Sequence, residues 1–186
     1  MSKFKLEHDE TTLLIIDLQE KLLPAMKDKE KILRNSQILL SLAKEFDFPV
    51  IVTEQYPKGL GVTVTEIQSV LPEAHYLIEK VSFSAWDQPL QDAFKKIGTG
   101  KSRTLLVAGV ESHVCVFQTV RDLLERGYNI HVVSDAVGSR FEENYQNGIN
   151  LMQNMGAIIT DTETAVFDCL VKAGGQSFKN LSAQIK

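Results

Sequence analysis

Short apolar runs alternate with segments of helical periodicity along almost the whole chain, and this alternation restricts the fold more than any other feature. One run begins at Thr104, breaks at Gly109 and is followed by apolar residues at helical spacing as far as Leu124. Residues 11–17 form another run, which ends at a carboxylate, Asp17. Such alternation predicts an α/β fold in which helices cover both faces of a mainly parallel sheet.

The same patterns predict six strands and a helix after each. The strands are expected at residues 11–17, 48–53, 75–80, 104–109, 129–135 and 157–160. The helices are expected at residues 29–46, 63–71, 87–97, 115–126, 144–155 and 163–172. Residues 54–61 are polar and rich in glycine, which predicts a loop, and the polar tail from Gly174 is expected to pack loosely or fray. We therefore expect one domain over residues 1–186 with a core over about 11–172.

Composition indicates the cellular compartment of the protein and the classes of partner that it can bind. The chain has 186 residues, of which 44% are hydrophobic, and its net charge of −4 comes from acidic and basic residues that are interleaved. No basic cluster indicates a nucleic-acid surface, and no apolar run approaches the length of a membrane span. Residues 1–9 lack the apolar centre of a signal peptide, and two cysteines are too few for a disulfide framework. These features predict a reduced, cytoplasmic protein without nucleic-acid or membrane partners.

Three chemically active side chains are placed at the ends of predicted strands. Asp17 ends the first strand, Lys80 ends the third, and Cys115 follows the fourth at a helix start. Parallel strands deliver such residues to one edge of the sheet, where ligands bind in open α/β sheets. There Asp17 can accept the thiol proton, while Lys80 and the helix dipole favour the Cys115 thiolate. A lone cysteine is more often a buried hydrophobe, and strand-end charges are often solvated, so the coincidence of all three carries the hypothesis.

The motifs around these residues resemble the isochorismatase-like cysteine hydrolase family. They are Asp17-Leu18-Gln19 after a strand, Lys80 ahead of Phe83-Ser84-Ala85, and residues 109–116 after another strand. The resemblance extends from about residue 11 to about residue 172. It is closest to the isochorismatase domain-containing subgroup, because residues 54–61 and 111–119 look like that subgroup's versions of these loops.

The resemblance implies a catalytic triad on a six-stranded, doubly wound, Rossmann-like fold that assembles into dimers or larger oligomers. Asp17 would be the general base, Lys80 the electrostatic partner and Cys115 the nucleophile. Amidases of the family form a thioester, release ammonia or an amine, and then hydrolyse the acyl-enzyme. The family also places a non-proline cis peptide at the position of Val110-Glu111, which would aim the backbone N–H groups of Glu111 and Cys115 into an oxyanion hole.

The loop after the second strand departs from the nicotinamidases of this family. Those enzymes carry an aspartate and histidine metal pair there, whereas this chain has Glu54-Gln55-Tyr56, which is a poor transition-metal site. We therefore predict no metal and no cofactor. The candidate residues for a small substrate pocket are Gln19, Tyr56, Phe83, Trp86 and His113. Core packing is the alternative for the aromatic residues, and structural hydrogen bonding is the more frequent role for a residue such as His113.

The sequence favours an amidase that acts on a small molecule, and it leaves two alternatives open. One is hydrolysis of an isochorismate-like vinyl ether, in which an aspartate supplies the acid chemistry and no thiol is needed. The other is an oligomeric binding or scaffold protein with little turnover. Cys115 argues against the first alternative, and three polar side chains at one edge argue against the second, because a scaffold has no need to bury charges.

Overall fold

A six-stranded parallel sheet forms the centre of the computed structural model, which describes residues 3–98 and 103–185. Every neighbouring pair of strands is parallel, and the spatial order is β3-β2-β1-β4-β5-β6. The order reverses between β1 and β4, which is the switch point of a doubly wound sheet. The strands are β1 (Thr11–Ile16), β2 (Val50–Gln55), β3 (Tyr76–Lys80), β4 (Thr104–Val110), β5 (Asn129–Gly138) and β6 (Ile158–Thr160).

Eight α-helices lie within the described ranges, and a single π-helical turn, Ser112–Val116, joins β4 to the fifth of them. None of these helices is long and apolar enough to cross a membrane. They are α1 (Lys29–Glu45), α2 (Pro57–Leu60), α3 (Thr65–Gln68), α4 (Gln88–Ile97), α5 (Phe117–Leu124), α6 (Glu142–Asn154), α7 (Thr162–Leu170) and α8 (Gly175–Ile185).

The helices divide between the two faces of the sheet and create two apolar cores. Successive side chains of a strand point to opposite faces, so Leu13 and Ile15 pack with α1, α7 and α8, whereas Leu14 and Ile16 pack with α4, α5 and α6. All six residues of β1 are buried, as a strand covered on both sides requires. The structure thus confirms the three-layer α/β architecture with a parallel sheet.

The second strand is longer than the sequence indicated, and the predicted loop at residues 54–61 is wrong. Glu54 and Gln55 are the last two residues of β2, where they pair with Glu79 and Lys80 of β3. The Gln19 side chain also bonds both the backbone N–H and the carbonyl of Gln55. Hydrogen bonds therefore fix the position of this polar end of β2. Residues 57–60 then form α2.

The tail after Gly174 does not fray, so that prediction is also wrong. Residues 175–185 form α8, and Leu181 on this helix is only 1% exposed. Phe178, Leu181 and Ile185 recur at helical spacing, Phe178 lies against Phe167 of α7, and the other two join the core on that face. Three apolar residues on one stripe are therefore enough to dock an otherwise polar helix.

Candidate active site

The three residues predicted from strand ends meet at the carboxyl edge of the sheet. Asp17 follows β1, Lys80 is the last residue of β3, and Cys115 lies in the turn after β4. The Lys80 ammonium lies 2.7 Å from an oxygen of the Asp17 carboxylate, and neither side chain is exposed to solvent. Cys115 is 5% exposed, and the charges of both Asp17 and Lys80 influence the pKa of its thiol. A buried thiol and a buried ion pair therefore lie at one edge of the sheet.

The position of Asp17 is fixed by β2 and by its own backbone. Thr53 donates its hydroxyl to Asp17 Oδ1 at 2.6 Å, while Oδ2 accepts from Lys80. The Asp17 N–H donates to the carbonyl of Thr53 at 3.1 Å. Its φ of 55° is in the left-handed region, which non-glycine residues adopt mainly where the surroundings enforce it, often at functional sites. One carboxylate oxygen therefore accepts a hydrogen bond from Lys80, and the other accepts one from Thr53 of β2.

Four oxygen acceptors surround the Lys80 ammonium. Besides Asp17 Oδ2, they are Gln55 Oε1 at 2.8 Å, the carbonyl of Phe83 at 3.1 Å and that of Ser82 at 3.4 Å. Lysine has three N–H donors, so this set satisfies the cation in a place without water contact. Sequence reasoning did not identify Gln55 as a site residue, because it was assigned to a loop rather than to the end of a strand beside Lys80.

Burial keeps the Cys115 thiol protonated. Desolvation is the largest cause that raises its pKa, the Asp17 charge raises it further, and the Lys80 charge opposes both, so that the pKa is about 12. The sequence predicted the opposite direction from the helix start and the lysine alone. The prediction was wrong because it left out desolvation and the effect of the Asp17 charge on the thiol pKa, and the structure therefore presents a neutral thiol at the same sheet edge as a carboxylate that can take its proton.

The turn that carries Cys115 is tied to the segment after β5. The Val110-Glu111 peptide is cis, as the family resemblance implied. The Glu111 carboxylate accepts from both the backbone N–H and the Nε of Arg140, each at 3.1 Å. The hydroxyl of Ser139, one residue earlier, lies 2.6 Å from the Ser112 hydroxyl. These contacts hold the start of the turn that carries Cys115 from the β5 side.

Two of the predicted pocket residues lie at the rim of the site, and both are 53% exposed. They are Tyr56 and Phe83. The backbone N–H of Tyr56 donates to the carbonyl of Lys80 at 2.7 Å, and the Phe83 carbonyl accepts from the Lys80 ammonium. Their backbones are therefore held beside Lys80, while their side chains are exposed to solvent.

The other three predicted pocket residues are engaged in structural contacts. Gln19 is fully buried, and its amide bonds the backbone of Gln55 and Gly61. Trp86 packs in an aromatic group with Phe94 and Tyr128, and the Arg126 guanidinium covers its ring at 4.6 Å. His113 Nδ1 lies 3.0 Å from the hydroxyl of Ser139.

The carboxylate of Glu54, near the end of β2, is also engaged in hydrogen bonds. Glu54 Oε1 accepts from the backbone N–H of Thr63 at 2.6 Å and from its hydroxyl at 2.8 Å. Over residues 3–98 and 103–185, no group of three or more His, Cys, Asp or Glu residues is placed to hold a metal ion. The absence of a cofactor remains a prediction from the sequence.

Comparison with known proteins assigns the family. Residues 11–164 match the family described as the isochorismatase domain. The chain belongs to the isochorismatase family. Within this family, it is 32% identical over 171 residues to isochorismatase domain-containing protein 2 of Danio rerio, covering 92% of this chain and 84% of that protein. The resemblance to the isochorismatase domain-containing subgroup is thereby confirmed.

Two solved structures share the fold over almost the whole chain. A structure described as the MAR1 ribonuclease of Caenorhabditis elegans has a TM-score of 0.90 and 36% identity, covering 97% of this chain and 92% of that one. The YcaC gene product of Escherichia coli, described as an octameric hydrolase of unknown specificity, has a TM-score of 0.83 and 27% identity, covering 97% and 87%. The fold of this chain is therefore that of the isochorismatase-family hydrolases.

Proposed function

We propose that this protein is a cysteine amidase that hydrolyses the carbon–nitrogen bond of a small, uncharged amide. The placement of Cys115, buried at the same edge of the sheet as the Asp17–Lys80 ion pair whose charges act on its thiol, carries this proposal. A thiol with a pKa of about 12 is a poor nucleophile until a base accepts its proton, and the carboxylate of Asp17 is in place to do so. Lys80 keeps a compensating positive charge beside the sulfur throughout.

In the first half of the reaction, Cys115 Sγ attacks the amide carbonyl carbon as its proton passes to Asp17. A carbon–sulfur bond forms, and the carbonyl π electrons move to the oxygen. When the tetrahedral intermediate collapses, the carbon–nitrogen bond breaks, and protonated Asp17 gives its proton to the leaving nitrogen. The products of this half are ammonia or an amine and a thioester on Cys115.

In the second half, Asp17 acts as the base for water. Water attacks the thioester carbonyl while Asp17 takes one of its protons, and collapse breaks the carbon–sulfur bond. The proton returns to the sulfur, so the free carboxylic acid leaves and the neutral thiol is restored. The backbone N–H groups of Glu111 and Cys115 serve as the oxyanion hole in both halves.

The surroundings of Lys80 favour an uncharged substrate over an isochorismate-like acid. The ammonium is satisfied by four oxygen acceptors, so it offers no free N–H to a substrate carboxylate. Tyr56 and Phe83, whose backbones are bonded to Lys80, have exposed aromatic side chains that suit an apolar substituent. The net charge of −4 also disfavours RNA as a substrate, although a structural relative is described as a ribonuclease.

Ammonia release from acetamide, hexanamide and benzamide tests the proposal, with isochorismate and a single-stranded RNA in parallel. We expect release from at least one amide, and we expect Cys115→Ala and Asp17→Asn to abolish it. Cys169→Ala is the matched control, because Cys169 is buried in α7, on the other face of the sheet, and should leave the activity unchanged. If Cys115→Ala leaves isochorismate hydrolysis intact while Asp17→Asn removes it, the vinyl-ether alternative is correct.

The protein is also proposed to act as one domain in a cytoplasmic homo-oligomer. The octameric state of the Escherichia coli relative supports the assembly. Light scattering of the purified chain tests it, and a monomeric mass would contradict it.

A further inference from the structure

The Lys80 ammonium depends on the loop that follows β3. Two of its four oxygen acceptors are backbone carbonyls of this loop, from Ser82 and Phe83. The first part of the loop is not held by burial of its own side chains, because Val81 is 78% exposed and Phe83 is 53% exposed. Other contacts must therefore keep the two carbonyls directed at the ammonium.

One contact comes from β2, where the Gln55 amide donates to the carbonyl of Val81 at 2.6 Å, and two others come from α5, the helix that continues from the turn that carries Cys115. Ser84 donates its hydroxyl to Asp122 Oδ2 at 2.6 Å, and the N–H of Ala85 donates to Thr119 Oγ1 at 2.9 Å. Thr119 and Ala85 are both fully buried. Thr119 and Asp122 are three residues apart and thus share one face of the helix. The loop beside Lys80 is consequently attached to the same helix that follows Cys115.

Further hydrogen bonds restrict the movement of the loop relative to α5. Asp122 Oδ1 lies 2.9 Å from the Arg121 guanidinium, which orients the carboxylate toward Ser84. The Ser84 hydroxyl also accepts from the N–H of Trp86 at 3.1 Å, so one side chain joins the helix and the next turn of the loop. A hydroxyl that donates to a carboxylate makes a stronger link than one between neutral groups.

We propose that Thr119 and Asp122 are positioning residues for the reaction. Through Ala85 and Ser84 they hold the carbonyls of Ser82 and Phe83 on Lys80, and so keep its ammonium beside Cys115. Neither residue contacts the reacting atoms. This inference rests on the proposed function, because it takes Lys80 to be the charged partner of the nucleophile.

The test is the rate at which iodoacetamide alkylates Cys115 between pH 8 and 9.5, in a Cys169→Ser background. Removing the Thr119 hydroxyl leaves the buried Ala85 N–H unpaired, so the loop relaxes and Lys80 stabilises the thiolate less. We expect Thr119→Val to slow alkylation about threefold or more, which corresponds to the loss of one hydrogen bond. Ser84→Ala, at a partly exposed position, should do the same, and Thr119→Ser should restore the rate.

Thr162→Val is the matched control. Thr162 is also buried, and its hydroxyl donates to Asp135 at 2.8 Å at the start of α7, on the other face of the sheet. We expect this variant to lose stability without any change in the alkylation rate. An equal slowing in Thr162→Val and Thr119→Val would overturn the inference, since the effect would then be general destabilisation.

A further variant separates the two proposals. If Lys80→Gln slows alkylation and both Thr119→Val and Ser84→Ala leave it unchanged, the positioning role is wrong and the triad stands. If Lys80→Gln alkylates at the parent rate, Lys80 is not the charged partner of Cys115, and the positioning role falls with it. These alkylation rates can be measured without the natural substrate.

Discussion

At the scale of single residues, two opposite charges act on one sulfur. The Asp17 carboxylate raises the pKa of the Cys115 thiol, and the Lys80 ammonium lowers it, while burial is the largest influence. Asp17 therefore has two effects that oppose each other. Its charge makes the free thiolate less stable, yet in the proposed mechanism it accepts the thiol proton during attack.

These two effects predict that Asp17→Asn separates thiol reactivity from turnover. Without the carboxylate, the alkaline rise in Cys115 alkylation should begin at lower pH, while turnover is lost because no base remains. Lys80→Gln should shift the rise to higher pH. Each shift is expected to be about one pH unit, the usual size for one close charge. Iodoacetamide kinetics in a Cys169→Ser background measure both, with circular dichroism as the check on folding. A rise at higher pH in Asp17→Asn contradicts the assigned role.

At the scale of secondary-structure elements, α6 sets the position of the turn that carries Cys115, the proposed nucleophile turn. The helix approaches the turn at Gly148, where a Cβ atom would lie 2.7 Å from the carbonyl carbon of Ser112 and 2.9 Å from the nitrogen of His113. Both are backbone atoms, which cannot rotate away as a side chain can. The absence of a side chain at Gly148 is therefore required for the close packing of these two elements.

Gly148→Ala should accordingly push α6 away from the nucleophile turn. We expect a loss of about 1–3 kcal/mol in the free energy of unfolding, typical of overpacking, together with a lower rate of ammonia release. Urea denaturation and the amide assay measure the two effects. Asn150→Ala is the control, because Asn150 is exposed on the same helix and should change neither. Full stability in Gly148→Ala would show that the turn does not depend on this contact.

The same scale shows what the sequence could predict and what it could not. The strands at the centre of the sheet were predictable because burial on both faces requires continuous apolar runs such as residues 104–110. The end of β2 and helix α8 were missed because their polar residues are typical of loops and tails. Glu54 and Gln55 are held by pairing with β3, and α8 docks through only three apolar residues.

The candidate site also contains residues that the sequence could predict and residues that it could not. Asp17, Lys80 and Cys115 were predictable because each follows or ends a strand, and the topology alone brings such positions together. Gln55 was not, because its segment was assigned to a loop rather than to the end of β2, and Thr119 was not, because its contact depends on how the loop after β3 packs against α5. Such contacts leave no periodic signal in the sequence. The pKa of Cys115 was missed for a related reason, since burial is set by the whole fold.

At the scale of the whole molecule, the two buried thiols make stability depend on pH. Burial raises the pKa of both Cys115 and Cys169 to about 12, above the value of about 8.5 that a thiol has in an unfolded chain. Folding therefore favours the neutral thiols. Their contribution to stability is complete below about pH 8.5 and is lost as the pH rises toward the folded-state value.

We therefore expect the free energy of unfolding to fall steeply above about pH 9. Each thiol should contribute a slope of roughly 1.4 kcal/mol per pH unit. Urea denaturation from pH 7 to 10.5 measures the slope, and Cys169→Ala separates the thiols from lysine and tyrosine residues that also titrate there. This variant should lose part of the slope whatever its stability at pH 7. An unchanged slope means that the thiol ionises equally in both states.

The most direct measurement of the central claim is the intact mass of the protein during turnover of a primary amide. A Cys169→Ser background leaves Cys115 as the only thiol. With hexanamide and an acid quench, the account predicts an added mass equal to the acyl group, located on the peptide that contains Cys115 and removed by hydroxylamine. Asp17→Asn should show no adduct. Ammonia release without any acyl adduct, or an adduct on another residue, would contradict the assignment of Cys115 as the nucleophile.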